Sequence, residues 1–292
     1  MLPKSILLGL LCAWCAASVG ADQPAQRMSK EQFEASLKYQ RGEVQLPNKV
    51  ATLKIPAGFH YLGPEDAQRI LEQAWGNPEG GGTLGMLFPS DADPLEANGW
   101  GVVITYSEDG HVSDQDADSI DYEKLLKDMQ QGAAEENKER AKQGMQPIEL
   151  VGWAAHPFYD KQAKKLHWAK ELSFPGAPEH TLNYNIRILG RKGVLVLNAV
   201  ANMGQLEVIQ ARMKDVLAFT DFDPGYGYAD FDPSIDKTAA YGLAALVAGG
   251  LAAKAGLFAK LLAVLIAAKK GIALLVIGVL AAIRKFFGKK NS

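Results

Sequence analysis

The sequence predicts an α+β fold, a mostly antiparallel sheet with packed helices, followed by a C-terminal helical membrane anchor. Three observations carry this expectation. Strand-like runs at Pro147–Trp153, Lys165–Phe174, Thr181–Leu189 and Val194–Met203 are joined by connections too short for a crossover, so consecutive strands must pair antiparallel. Segments with helical periodicity interrupt that series and close it. From Thr238 to Ser292 the chain holds eight Lys or Arg and no Asp or Glu, and its apolar runs exceed what a buried core helix needs.

The organisation reads as four parts. Residues 1–21 combine Lys4, an apolar run from Ile6 to Val19 and the small residues Gly20 and Ala21, the pattern of a secretory signal. An uncleaved anchor is the alternative. Cys12 and Cys15, the only cysteines, lie inside it, so a cleaved chain holds no disulfide, thiolate nucleophile or Cys-ligated zinc. Residues 22–220 form the extracytoplasmic α+β domain, 221–237 a linker and 238–292 the anchor.

Within the domain, Ser29 and Gln32 make a capping-box start for a short helix ending before Gly42. Glu43–Leu46 and Ala51–Ile55 read as a hairpin around Pro47-Asn48-Lys49. Pro64 opens a helix to about Trp75, with Glu65 and Asp66 near its positive end. The glycines 80–82 lack the lysine of a phosphate-binding loop and precede a strand. Strands follow at Thr83–Phe88 and Trp100–Tyr106, then a long helix over Tyr122–Lys142 with an apolar stripe of Leu125, Leu126, Met129 and Ala133. Pro157–Asp160, Pro175–Pro178 and Gly190–Gly193 separate the later strands. In Thr181–Leu189, Asn183, Asn185 and Arg187 alternate with apolar residues, giving one apolar and one polar face. A helix over Gln205–Ala218 closes the domain.

Candidate chemistry is sparse. Asp114, Asp116, Asp118 and Asp121 have the alternate spacing of a calcium loop, but Ser119 stands where that loop needs Gly and Leu125 where it needs a bidentate Glu. The first reading is loop solvation and helix capping; a looser divalent-cation site is the alternative. His156 and His167, grouped with Trp153, Tyr159 and Trp168, are the candidate catalytic bases of a hydrolase-like site, against a preferred reading of aromatic packing across strands. No cofactor is expected.

Charge divides the chain. Residues 22–237 hold 33 acidic and 22 basic side chains, about −11, whereas the tail carries +8. An acidic domain excludes nucleic acid, whose affinity comes from Lys and Arg on phosphates. The tail is the lipid-binding part, with Lys269, Lys270, Arg284, Lys285, Lys289 and Lys290 at the membrane surface. A lysine at mid-bilayer costs roughly 2.5–3.5 kcal/mol, so Lys269-Lys270 mark either the turn of a hairpin or the end of a single span. Ala245, Gly249, Ala252 and Gly256 make a small-residue helix face suited to self-association.

The phrases GWAAHPFYD, LHWAKEL, TLNYNIRILGRKGVLVLN and YADFDPSIDKTAAYGLAALVAGG closely resemble those of the bacterial membrane-anchored proteins grouped as domain of unknown function 2167. The resemblance implies a secreted N-terminus, an extracytoplasmic domain and a C-terminal membrane segment, and it brings no catalytic residues. The sequence therefore points to a non-enzymatic binding or interaction module at the bacterial inner membrane, facing the periplasm, with an envelope protein as possible partner. An envelope hydrolase and a cation-sensing module are the alternatives.

Overall fold

The alternating strand runs find antiparallel neighbours and close into one sheet that carries helices on both faces. The computed structural model describes residues 29–77, 82–96 and 98–249. Residues 29–36 belong to a separate unit and carry helix α1 (Lys30–Ala35). Its capping box is present: the Gln32 amide donates to Ser29 Oγ (3.3 Å) and the Ser29 amide to Gln32 Oε1 (3.0 Å).

The larger unit begins with a hairpin of β1 (Gly42–Gln45) and β2 (Thr52–Ile55), then β3 (Phe59–Leu62) and α2 (Pro64–Arg69). Helix α2 passes into a π turn at Ile70–Ala74, where Trp75 N donates to Ile70 O (2.9 Å). The indole of Trp75 donates to Pro94 O (2.8 Å) and meets the Phe88 ring edge-on. Next come β4 (Gly85–Pro89), β5 (Gly101–Ser107), β6 (His111–Ser113) and α3 (Tyr122–Lys142). The strands β7 (Glu149–Asp160), β8 (Lys165–Ser173), β9 (Thr181–Leu189) and β10 (Val194–Asn202) precede α4 (Leu206–Phe219), β11 (Thr238–Gly242) and α5 (Leu243–Ala248).

The sheet order is β3-β4-β5-β10-β9-β8-β7, and every neighbouring pair is antiparallel. On one face, Ile209, Met213 and Val216 of α4 join the β1–β2 hairpin against Tyr184, Ile186, Leu195 and Leu197. On the other, Leu243, Leu246 and Val247 of α5 join Val112, Leu166, Trp168 and Val194, with Leu125 and Met129 of α3 packed alongside. Burial of both faces explains the sheet's stability better than any single layer would.

Helix α3 has the bounds its sequence predicts. Asp121 caps it by accepting from Lys124 N (2.9 Å). Replacing Asp121 by Ala should cost about 1 kcal/mol and speed amide exchange in the first turn of α3. An unchanged exchange rate there would contradict the capping role.

Three expectations are corrected. The Pro157–Asp160 stretch is strand, not turn. As the edge strand, β7 tolerates Pro157 and takes up register shifts between Leu150 and Phe158. The turn falls at 161–164, where Asp160 Oδ1 accepts from the amides of Gln162 and Ala163 (both 2.9 Å) and Lys164 adopts φ +55°. The segment 221–237, expected as a linker, is fastened to the domain. Asp223 N donates to Val50 O (2.9 Å), Phe222 meets Tyr106 edge-on, and Arg191 Nε donates to Asp236 Oδ2 (2.6 Å), a carboxylate only 1% exposed.

The third correction concerns the start of the expected anchor. Thr238–Gly242 is a strand running parallel to β6, and α5 lies in the second core. Asp116 accounts for this. Its Oδ1 accepts from Leu243 N (3.1 Å) and its Oδ2 from Ala244 N (3.2 Å), satisfying the open amides of α5. Gly242 permits the approach, since a Cβ there would meet Asp116 Oδ2 at 2.6 Å. Helix α5 stops at Gly249 (φ +85°), so among the described residues the small-residue face holds only Ala245 before the helix ends. Ala252 and Gly256 lie outside the described residues, as do Lys269, Lys270, Arg284, Lys285, Lys289 and Lys290. Among the described residues no helix is long and apolar enough to cross a membrane.

Candidate functional site

The polar face of β9 is interior. Tyr184, Ile186 and Ile188 point into the α4 layer, so Asn183, Asn185 and Arg187 point into the layer built by α3, α5 and β11. Asn185 is buried, and it donates to Asn183 O (2.8 Å) and Asn183 Oδ1 (2.9 Å). Arg187 Nη1 donates to Ile186 O (2.8 Å) and Asn198 Oδ1 (3.1 Å), while its guanidinium lies 4.9 Å over the Trp168 ring. Burial pulls Arg187 down to about 10, still cationic at neutral pH. Its partners among the described residues are side-chain amides, a backbone carbonyl and a ring face, with no carboxylate among them.

On the same face of β8, Lys170 follows Leu166 and Trp168 and precedes Leu172. Burial, and then the like charge of Arg187, pull its ammonium down to about 8. Among the described residues it finds no hydrogen-bond acceptor and no anionic partner.

Lys170 lines a groove of about 670 Å³ between α3 and the β7–β8 edge. Helix α3 has no fully buried residue along its length. It is fixed instead by amide struts to the edge strand. Gln130 Nε2 donates to Leu150 O (3.2 Å) and Val151 O (3.1 Å). Asn137 exchanges hydrogen bonds with the Ile148 backbone (2.8 and 2.9 Å). These contacts occupy edge groups that would otherwise invite another strand. Between the struts Leu125, Met129 and Ala133 face Ile148, Leu150 and Leu172 across the groove, and Ala248 of α5 closes one end. Asp128, Glu136 and Arg140 stand on the helix side. Of these, Asp128 is engaged by Lys124 (3.1 Å) and Arg140 Nε donates to Gln146 O (2.8 Å). The dimensions suit a small ligand, and the floor is apolar with one cation, Lys170, while the helix side mixes apolar and polar residues.

The residues singled out from sequence do not assemble into this site. Each aspartate of the expected cation cluster has its own partner. Asp114 accepts from Tyr159, Lys164 and Tyr228; Asp116 caps α5; Asp118 meets Lys161 Nζ (2.5 Å); Asp121 caps α3. Among the described residues no group of three metal-ligating side chains converges. His156 is open to solvent, with Nε2 3.5 Å from Glu123 Oε1. His167 lies on the opposite face of β8 from Lys170, against Phe158 and within 3.3 Å of the Tyr184 hydroxyl, and burial lowers its affinity for a proton. The aromatic grouping divides likewise: Trp168 is core, Trp153 flanks it and Tyr159 binds Asp114.

Arg187 belongs to the polar face read from the sequence of β9, whereas Lys170 matches no motif, although the sequence carries a signal for it. In LHWAKEL the residues at 166, 168, 170 and 172 share one face, and three of the four are large and apolar. A lysine in that row must either reach solvent or meet something at the interface.

No curated protein sequence matches the chain. Among solved structures, the cyanobacterial PsbP protein CyanoP of Synechocystis sp. PCC 6803 superposes with a TM-score of 0.34 at 11% identity, over 65% of this chain and 94% of that one. The Ran-binding protein Mog1p of Saccharomyces cerevisiae gives 0.30 at 17% identity, over 61% and 85%. Superpositions this loose leave fold and function to be argued from the chain itself. A family model described as "Protein of unknown function (DUF2167)" matches residues 38–281, most of the sequence and the whole sheet, and the chain belongs to that family.

Proposed function

We propose that the protein is a non-enzymatic binding module of the bacterial envelope. Residues 1–21 direct its export and residues beyond Gly249 hold it at the inner membrane with the domain in the periplasm. The observation that carries this reading is the position of the groove beside the exit of the chain. Ala248 lines the groove, Gly249 ends α5, and the next residues begin the apolar, cationic tail. A tether there sets the groove against the bilayer surface, and the domain's acidity leaves the tail as the part that anionic lipid attracts.

Fractionation tests it. The full chain should remain in the membrane pellet after alkaline carbonate, and a chain ending at Gly249 should appear in the periplasmic fraction with its thermal transition retained. Release of the full chain by carbonate, or retention of the shortened one, would overturn the tether. A C-terminal tag then separates one crossing from two, since labelling from outside intact spheroplasts requires two.

A further inference from the structure

We propose that the groove between α3 and β7–β8 binds an amphipathic anion, a single acyl chain ending in a carboxylate or phosphate. Its head would sit at Lys170 and its chain along Leu125, Met129 and Ala133. This deepens the binding-module reading and rests on it. Lys170 and Arg187 are two cations turned into one interior layer, and neither has a carboxylate partner among the described residues. Lys170 is half-buried at the groove, and an ammonium partly withdrawn from water gains from an anion that pairs with it. Arg187 is satisfied by Asn198, Ile186 and Trp168, which leaves the Lys170 ammonium as the group able to take an anion. Beside Lys170 the floor is apolar, and on the roof Leu125, Met129 and Ala133 stand among polar residues of the exposed helix side, so a free inorganic anion would leave Met129, Leu150 and Leu172 in water. A neutral hydrocarbon would leave the ammonium unmet. An acyl anion satisfies both, and a groove of about 670 Å³ falls within the range of small-molecule sites. The carboxylates of Asp128 and Glu136 stand at the exposed helix side and select against a second negative group at the mouth.

The test uses the full chain in phosphatidylcholine nanodiscs, labelled with a diazirine-bearing palmitate. Unlabelled palmitate, lysophosphatidylglycerol and hexadecanol compete in parallel, with empty nanodiscs as blank. Label is expected on α3 and on β7–β8. Palmitate or lysophosphatidylglycerol should compete at least about tenfold better than hexadecanol, the scale of one hydrogen bond to a charged group. The better of the two anions identifies a free fatty acid or a membrane lipid as the source. Lys170→Met keeps the side chain's length and removes its charge. It should abolish the preference over hexadecanol without lowering the thermal transition, and Ala133→Trp should block all three competitors. Equal competition by palmitate and hexadecanol, an unchanged preference in Lys170→Met, or label confined to residues 250–292 would each overturn the proposal. Fractionation reports the tether separately, so such a result would refute the ligand class and leave the membrane-held reading standing.

Discussion

Replacing Trp168 by Ala is expected to destabilise the domain by about 3–5 kcal/mol, read as a lower urea midpoint at unchanged slope. Trp168 is 1% exposed and sits where β8 meets α5, in a cluster with Leu166, Val194, Leu243 and Leu246. Truncation leaves a cavity that strands on both sides prevent from collapsing. It also withdraws the ring face beneath the buried Arg187 guanidinium, whose remaining partners are neutral. The indole N–H finds no acceptor among the described residues, so no hydrogen bond is lost with it. Trp168→Phe should therefore cost much less, under about 2 kcal/mol, because it keeps a ring under Arg187 and removes a buried polar group. If Phe proved as damaging as Ala, the cation over the ring would not be the reason for an aromatic residue here.

The same region shows what was legible in the sequence. The alternation in LNYNIRIL says that β9 has two chemically different faces, and this is correct. It does not say which face water receives. Asn183, Asn185 and Arg187 are marked by the sequence only as the polar face. The layer that covers them comes from α3, from β6 and from residues 238–248, which are far from β9 in sequence. Likewise, Thr238–Ala248 has the small and apolar composition of the residues that follow it. Nothing local distinguishes a strand and a cap-bound helix from the start of an anchor. The distinction is made by Asp116, more than a hundred residues earlier, whose carboxylate takes the first amides of α5. Helix α3 was legible because its limits are set locally, by Asp121 at one end and by Gly144 (φ +71°) just beyond the other.

Asp114→Asn is expected to cost about 2–3 kcal/mol at neutral pH, and that cost should shrink in acid. Asp114 joins three parts of the chain: its carboxylate accepts from the Tyr159 hydroxyl on β7 (2.7 Å), from Lys164 Nζ in the β7–β8 turn (2.8 Å) and from the Tyr228 hydroxyl (3.0 Å). Its partial burial alone would push the carboxyl up. The three donors and the Lys164 charge outweigh that and hold it down at about 2. The folded value lies below the unfolded one of roughly 3.9, so the stabilising contribution is present above about pH 4 and is lost as pH falls toward 2. By linkage that contribution is about 2–3 kcal/mol. Burial first, and then the Asp114 carboxylate, keep both phenols protonated, Tyr228 up to about 12, so the donors do not change over this range. Urea midpoints of the two proteins at pH 7, 4 and 2.5 should thus converge. A constant gap would mean that the amide disrupts packing and that the carboxylate charge is immaterial. Lys164→Met separates the remaining terms. It removes the ammonium, which also lies 4.7 Å over the Tyr228 ring, and leaves both hydroxyl donors, so it should reproduce only part of the loss seen in Asp114→Asn.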